Sequence, residues 1–128
     1  MYDLYFDTIT YIPANGFIRL TFSNGFQSSP NPYCTSNVPV LGKENYKLIV
    51  ENEDSDATIK ISNIGAINAG TRVTFDCRLV STSDSASSIR PHVRVRTFYS
   101  LGVDYSMLDD RSSIQLNRSI SNNYITPV

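Results

Sequence analysis

The stretch YIPANGFIRLTF, residues 11–22, sets a Pro-Ala-Asn-Gly turn directly before six residues of alternating character. Ile18, Leu20 and Phe22 share one phase, while Phe17, Arg19 and Thr21 share the other. A side-chain period of two gives a strand one buried face and one wet face. Pro13 presets φ, and Asn15-Gly16 tolerates the positive φ of a tight reversal, so the turn feeds the strand in a set register. The same grammar returns as INAGTRVTF, residues 67–75, where Asn68-Ala69-Gly70 precedes Arg72-Val73-Thr74-Phe75. Both turns follow an aliphatic residue, Ile12 and Ile67, suited to pack beneath them.

Working outward, strand signals recur and helix signals do not. YDLYFDTITYI (2–12) is rich in aromatic and β-branched residues. YKLIVE (46–51) and ATIKIS (57–62) flank NEDSD and predict a hairpin with a five-residue polar loop. TRVTFDCRLVST (71–82) and HVRVRTFYS (92–100) are the longest later strands, with GVDYSML (102–108), SSIQLNRSI (112–120) and YITPV (124–128) as weaker candidates. The stretch between Ser23 and Tyr46 reads as irregular, since it holds three of the six prolines. No ten-residue window shows helical spacing with caps. The expectation is an all-β chain of eight or nine strands, a single domain over residues 1–128, folded as a two-sheet antiparallel immunoglobulin-like β-sandwich.

The length of 128 residues suits one domain with a real core. A net charge of −1, with 18% charged residues, gives no long-range field for nucleic acid or an anionic membrane. Ser, Thr and Asn make up 38 of the 128 residues, against three Lys, so the surface reads as neutral and hydroxyl-rich, a composition associated with extracellular proteins. Cys34 and Cys77 allow one disulfide in an oxidising compartment, with two buried thiols as the alternative. No apolar run approaches the roughly 20 residues that span a bilayer, so membrane insertion is not expected. MYDLYFD carries acids where a signal peptide begins with bases. An exported form is therefore expected to have lost its signal, or to belong to a larger precursor.

The pairing of IPANGFIRLTF with INAGTRVTFDCRL resembles the immunoglobulin-like β-sandwich repeats of large surface and fibre-forming proteins of ciliates, algae and other microbes. Those modules look similar in placing a Gly-turn-strand phrase near the start and another past the middle, with sparse cysteines. The chain has no Trp, so the tryptophan-and-cysteine core of antibody domains has no counterpart. The resemblance implies an architecture and a structural role at a cell surface.

No constellation selects a reaction. The single His92 lies in RPHVRVRTF among strand residues, no G-x-S-x-G elbow occurs, and no nucleophile has a base assigned to it. Two Cys and one His are too scattered for a zinc site, so no metal or cofactor is expected. Glu51, Glu53, Asp54 and Asp56 offer oxygen ligands at a hairpin tip but lack the glycine and distal glutamate of a calcium loop, and a solvated turn is the plainer reading. Asp109-Asp110 is similarly ambiguous. Arg90, His92, Arg94 and Arg96 share a strand face, either as a grip for acidic glycans or phosphate or as a wet face paired with acids on neighbouring strands. Asn117-Arg118-Ser119 is a candidate N-glycan acceptor, and the Ser/Thr/Pro-bearing stretches around 27–39 and 81–88 suit O-linked sugar.

Residues 1–12 carry Tyr2, Leu4 and Phe6 on one face and Tyr5, Ile9 and Tyr11 largely on the other. Such a strand wants burial on both sides, inside its own sandwich or as an assembly strand completing a neighbour's sheet. The sequence therefore leads to a non-enzymatic extracellular or cell-surface structural module. It would self-associate, or join neighbouring repeats, head to tail through its terminal strands into a glycosylated fibre or adhesive stalk. The alternative is a carbohydrate-binding module with Tyr33, Tyr46, Tyr99 or Tyr105 as stacking platforms, and a small sandwich hydrolase ranks last.

Overall fold

The computed structural model describes residues 2–22, 26–28, 32–53, 56–81 and 92–118. Eleven strands and no helix are found among them: β1 (Tyr2–Asp7), β2 (Phe17–Phe22), β3 (Phe26–Ser28), β4 (Cys34–Ser36), β5 (Lys47–Glu53), β6 (Asp56–Ser62), β7 (Arg72–Cys77), β8 (Leu79–Ser81), β9 (His92–Leu101), β10 (Asp104–Gln115) and β11 (Asn117–Arg118). They build a four-stranded sheet in the order β11-β1-β7-β4 and a five-stranded sheet in the order β10-β9-β2-β6-β5, and β3 pairs with β8 separately. Every pairing is antiparallel. The chain is a two-sheet antiparallel β-sandwich.

The alternation read from the sequence makes the core. From one sheet Leu4, Phe6, Val73 and Phe75 point inward, and from the other Ile18, Leu20, Phe22, Ile59, Ile61, Val93 and Val95 meet them, all buried in one cluster. Each such side chain removed from water contributes roughly 1.5–3 kcal/mol before conformational entropy is subtracted. Neighbouring strands are locked in phase, as in Leu20 between Ile59 and Val95. A slip of one residue would turn the whole inward set to solvent, so burial specifies the register.

The two turn phrases meet each other. Ile12 and Ile67 form an isolated antiparallel bridge, each amide donating to the other's carbonyl at 2.9 Å, with both side chains buried. In the first turn the Gly16 amide donates to the Pro13 carbonyl, and it is Asn15, with φ 70, that takes the left-handed conformation. Gly16 serves a different need: a Cβ there would stand 2.5 Å from the Phe98 carbonyl oxygen and 2.9 Å from Ile12 Cγ2. In the second turn Gly70 itself has positive φ, 77°. Thr8, a buried hydroxyl, collars that turn by donating to the Asn68 carbonyl at 2.7 Å and accepting the Thr71 amide at 2.9 Å.

Several expectations change. The 46–62 hairpin keeps pairing as far as Glu53–Asp56, so its loop shortens from five residues to two, because the ladder adds bonds until the reversal stops it. The segment between Ser23 and Tyr46 contains β3 and β4, whose partners β8 and β7 lie 39 to 55 residues away. The expected strand 102–108 and the first part of 112–120 run together as β10, with register shifts at Met107/Asp109 and Arg111/Ile114 in place of a break, while Asn117 and Arg118 form β11 in the other sheet. Residues 119–128, which include the expected strand 124–128, lie outside the described residues, as does most of the 81–88 loop.

Cys34 and Cys77 are bonded and stand directly opposite each other in the β4–β7 pair. The bridge therefore staples neighbouring strands of one sheet, whereas in antibody domains it joins two sheets. With 43 residues of separation, reducing it or replacing both cysteines by Ala is expected to lower unfolding free energy by about 4 kcal/mol on the chain-entropy model, read as a denaturant midpoint with and without reductant. Gly16→Ala is expected to destabilise by at least about 1–3 kcal/mol, as overpacking against backbone does, and thermal melting checks it.

Candidate functional site

The outer face of the five-stranded sheet holds the richest side-chain constellation. Cross-strand register brings Phe17 opposite Phe98, Arg19 opposite both Arg96 and Lys60, and Tyr105 beside Ser100. Phe17 and Phe98 stack with centroids 4.6 Å apart, and Tyr105 meets both edge-on at 5.3 and 5.5 Å. The Arg19 guanidinium lies over all three rings at 5.0–5.2 Å, and Lys60 Nζ is 4.4 Å from the Phe17 centroid. The cations roof the two phenylalanines, which are buried although they face outward. Cation–π attraction of this kind strengthens as the cation loses water.

Arg19 also donates from Nε to Glu51 at 3.0 Å, tying β2 to the edge strand β5 across β6. Burial works to lower the Arg19 pKa, but hydrogen bonds to Glu51 and Tyr105 outweigh it and hold the group firmly charged. On the other flank Arg94 grips Asp110 with two bonds, at 2.9 and 2.7 Å. Arg96 donates to Thr21 Oγ1 at 2.9 Å, and Thr21 also receives the Thr58 hydroxyl at 3.1 Å. The arginines of β9 are thus held by partners on β2 and β10, the wet-face arrangement; His92 is exposed and Arg90 lies outside the described residues. Glu51 is engaged by Arg19, and Asp54 lies outside the described residues.

Asp109 has a structural task. At the first register shift of β10 its amide donates to Thr97 Oγ1 at 3.1 Å. Its carboxylate accepts the Ile9 and Thr10 amides at 3.3 and 3.0 Å and the Thr10 hydroxyl at 2.8 Å. A bulge that re-aims a side chain here stitches one sheet's edge strand to the segment that leaves the other sheet.

The four tyrosines proposed as platforms separate. Tyr105 belongs to the aromatic cluster and stays half exposed, and Tyr33 is exposed with the Arg78 guanidinium 5.3 Å from its centroid. Tyr46 is spent internally: its hydroxyl donates to the Val38 and Ser36 carbonyls, and burial raises its pKa against the Ser36 bond. Tyr99 is half-buried in the inward phase of β9. The four do not form one surface.

Of the proposed assembly residues, Leu4 and Phe6 are buried and Tyr2 packs against the core. β1 is paired along its length by β7 and, at Tyr2 and Asp3, by β11. The second face, expected to want burial, is open: Tyr5 is exposed within β1, and Ile9 and Tyr11 are exposed beyond its end at Asp7. Asn117 is exposed on β11, opposite Asp3, and accepts from Gln115 Nε2 at 3.0 Å through Oδ1; Ser119 of its sequon lies outside the described residues.

Among the described residues no group of three or more His, Cys, Asp or Glu side chains converges as a metal site would require, and no helix is long and apolar enough to cross a membrane. Compared with known proteins, the chain matches no family model, no curated protein and no solved structure. Its function is therefore argued from its own surface. The feature that sequence reasoning missed is that surface's polarity. The register places the β9–β10 reversal, the start of β2 and the residues just after β1 at one end of the sandwich, and the exposed Ile9, Tyr11, Leu101, Val103, Tyr105 and Met107 belong to these segments.

Asp110 sits below its ordinary value of 3.8 because Arg94 hydrogen-bonds its charged form. A depressed carboxyl adds stability that is present above 3.8 and lost as pH falls through the folded value. Arg94→Ala is expected to raise the Asp110 midpoint towards 3.8 in a carboxyl NMR titration and to remove part of the acid-side loss of stability.

Proposed function

We propose that this chain is a non-enzymatic structural module of an extracellular surface assembly, and that copies associate through the apolar end of the sandwich. One observation carries the reading. The β9–β10 hairpin is crowned by apolar side chains in water: Val103 is 97% exposed at the apex, with Leu101, Tyr105 and Met107 more than half exposed behind it. Gly102 supplies the positive φ of the two-residue reversal, so Val103 is held out by a tight turn and not by a floppy loop. Ile9 and Tyr11 are exposed at the same end, where the Asp109 carboxylate holds the Ile9 amide. Exposed apolar side chains gathered at one end mark interaction sites on soluble proteins.

The contact differs from strand donation by residues 1–12, since β1 is already paired along its length by β7 and, at Tyr2 and Asp3, by β11. Ile9 and Tyr11 keep a part in it; Tyr2, Leu4 and Phe6 act through the core beneath. Tyr2 and Arg118 are Cα partners at the end opposite the crown. The disulfide is compatible with an extracellular location, and a sugar on Asn117 would lie away from the crown.

If the crown meets a copy of itself a closed dimer results, whereas contact with any other surface propagates a filament. Sedimentation velocity over a concentration series, with negative-stain microscopy, is expected to show assembly. Val103→Asp is expected to weaken association by about tenfold or more while changing stability by no more than about 0.5 kcal/mol, as exposed substitutions do. A chain that stays monomeric at every concentration overturns the proposal.

A further inference from the structure

We propose that the seam between β1, β10 and β11 is a binding cleft for a neutral pyranose residue of a glycan, independent of the apolar crown. After its second register shift β10 stays paired with β9 through Gln115, Leu116 is then buried, and β11 joins β1 in the other sheet. The sheets part there and leave a cleft of about 300 Å³ lined by Tyr5, Asp7, Arg111, Ile114, Gln115 and Asn117. That volume is at the lower bound of small-ligand sites and takes one six-membered sugar ring.

The lining is fixed before any ligand arrives. Arg72 donates to both oxygens of Asp7, at 2.9 and 3.2 Å, and its guanidinium lies 4.6 Å from the Tyr5 centroid, so one residue positions both carboxylate and ring. Arg111 Nη1 donates to the Asp7 carbonyl at 2.9 Å, which holds a second guanidinium at the wall. Gln115 Nε2 donates to Asn117 Oδ1, an arrangement that leaves Gln115 Oε1 to accept and the Asn117 amide nitrogen to donate. Buried Phe6 and half-buried Ile114 give the cleft an apolar base.

These groups match a sugar. A pyranose offers an apolar C–H face, which packs on an aromatic ring, and a rim of hydroxyls that each donate and accept. Amide, carboxylate and guanidinium edges address neighbouring hydroxyls in pairs. The lining carries one carboxylate, Asp7, and one guanidinium, Arg111, so it has no net charge to select an anion or a cation. A rigid, preformed site of this size is expected to bind in the millimolar range.

The test is two-dimensional amide NMR on the full 128-residue chain made without N-linked glycan, titrated with methyl glycosides of glucose, galactose, mannose and N-acetylglucosamine, and separately with sodium sulfate. At least one glycoside is expected to shift the Tyr5 backbone amide and the Gln115 and Asn117 side-chain amides saturably. Tyr5→Ala and Gln115→Ala should each weaken that binding about tenfold, and Tyr5→Phe should retain it. Gln115 is exposed, so its variant reports on the cleft even where Tyr5→Ala unfolds the sheet. The proposal fails if no glycoside shifts these signals up to about 50 mM, well past a millimolar dissociation constant, if Gln115→Ala leaves the dissociation constant unchanged, or if sulfate alone produces the shifts.

Discussion

The reciprocal hydrogen bonds between Ile12 and Ile67 are the constraint on which the rest of this sandwich depends. Each residue stands just before a turn that launches a long strand, one into each sheet. Joining them sets where the two sheets start relative to each other, and hence which inward side chains face across the core. The approach is close enough that Gly16 has no room for a side chain, and the Thr8 hydroxyl fills the polar needs of the turn opposite. An unpaired backbone group at this depth would cost about as much as a lost hydrogen bond, so the bridge and the buried isoleucines support each other.

From that fixed end the functional surfaces follow. The β9–β10 reversal projects from the same end because Phe17, the first residue of β2, is paired with Phe98, only three residues before Leu101. The aromatic and cationic layer on the outer face is rigid: Arg19 is held by Glu51 and by three rings, and Arg94 by Asp110. Paired exposed charges add little stability individually, but they leave no loose cation on that flank to gather anions. What stays open is the apolar crown at one end and the polar cleft along the seam, two surfaces of opposite chemistry on one small frame.

The β10 strand shows how irregularity creates a site. Its two register shifts change its phase while it stays paired with β9, and Asp109 and Arg111 use the altered phase to reach the segment from Asp7 to Thr10. A regular strand would have kept both side chains in the sheet's own alternation and left the seam unbridged.

Much of the fold was legible along the chain. The alternation at 17–22 and 72–77, the turn residues Asn15 and Gly70, and the absence of helical spacing follow from the conformational limits of single residues and their nearest neighbours. Those limits are local, so sequence by itself determined the all-β class, the inward set and the two turns that follow Ile12 and Ile67. Tertiary structure alone decided the rest. That Phe17 and Phe98 are roofed while facing outward, that β1 is paired by β7 and β11 while Tyr5, Ile9 and Tyr11 remain wet, and that Gln115 and Asn117 come beside Tyr5 all depend on partners up to about a hundred residues apart in the chain. Strand pairing over such separations is set by the packing of the whole core, and no local pattern records it.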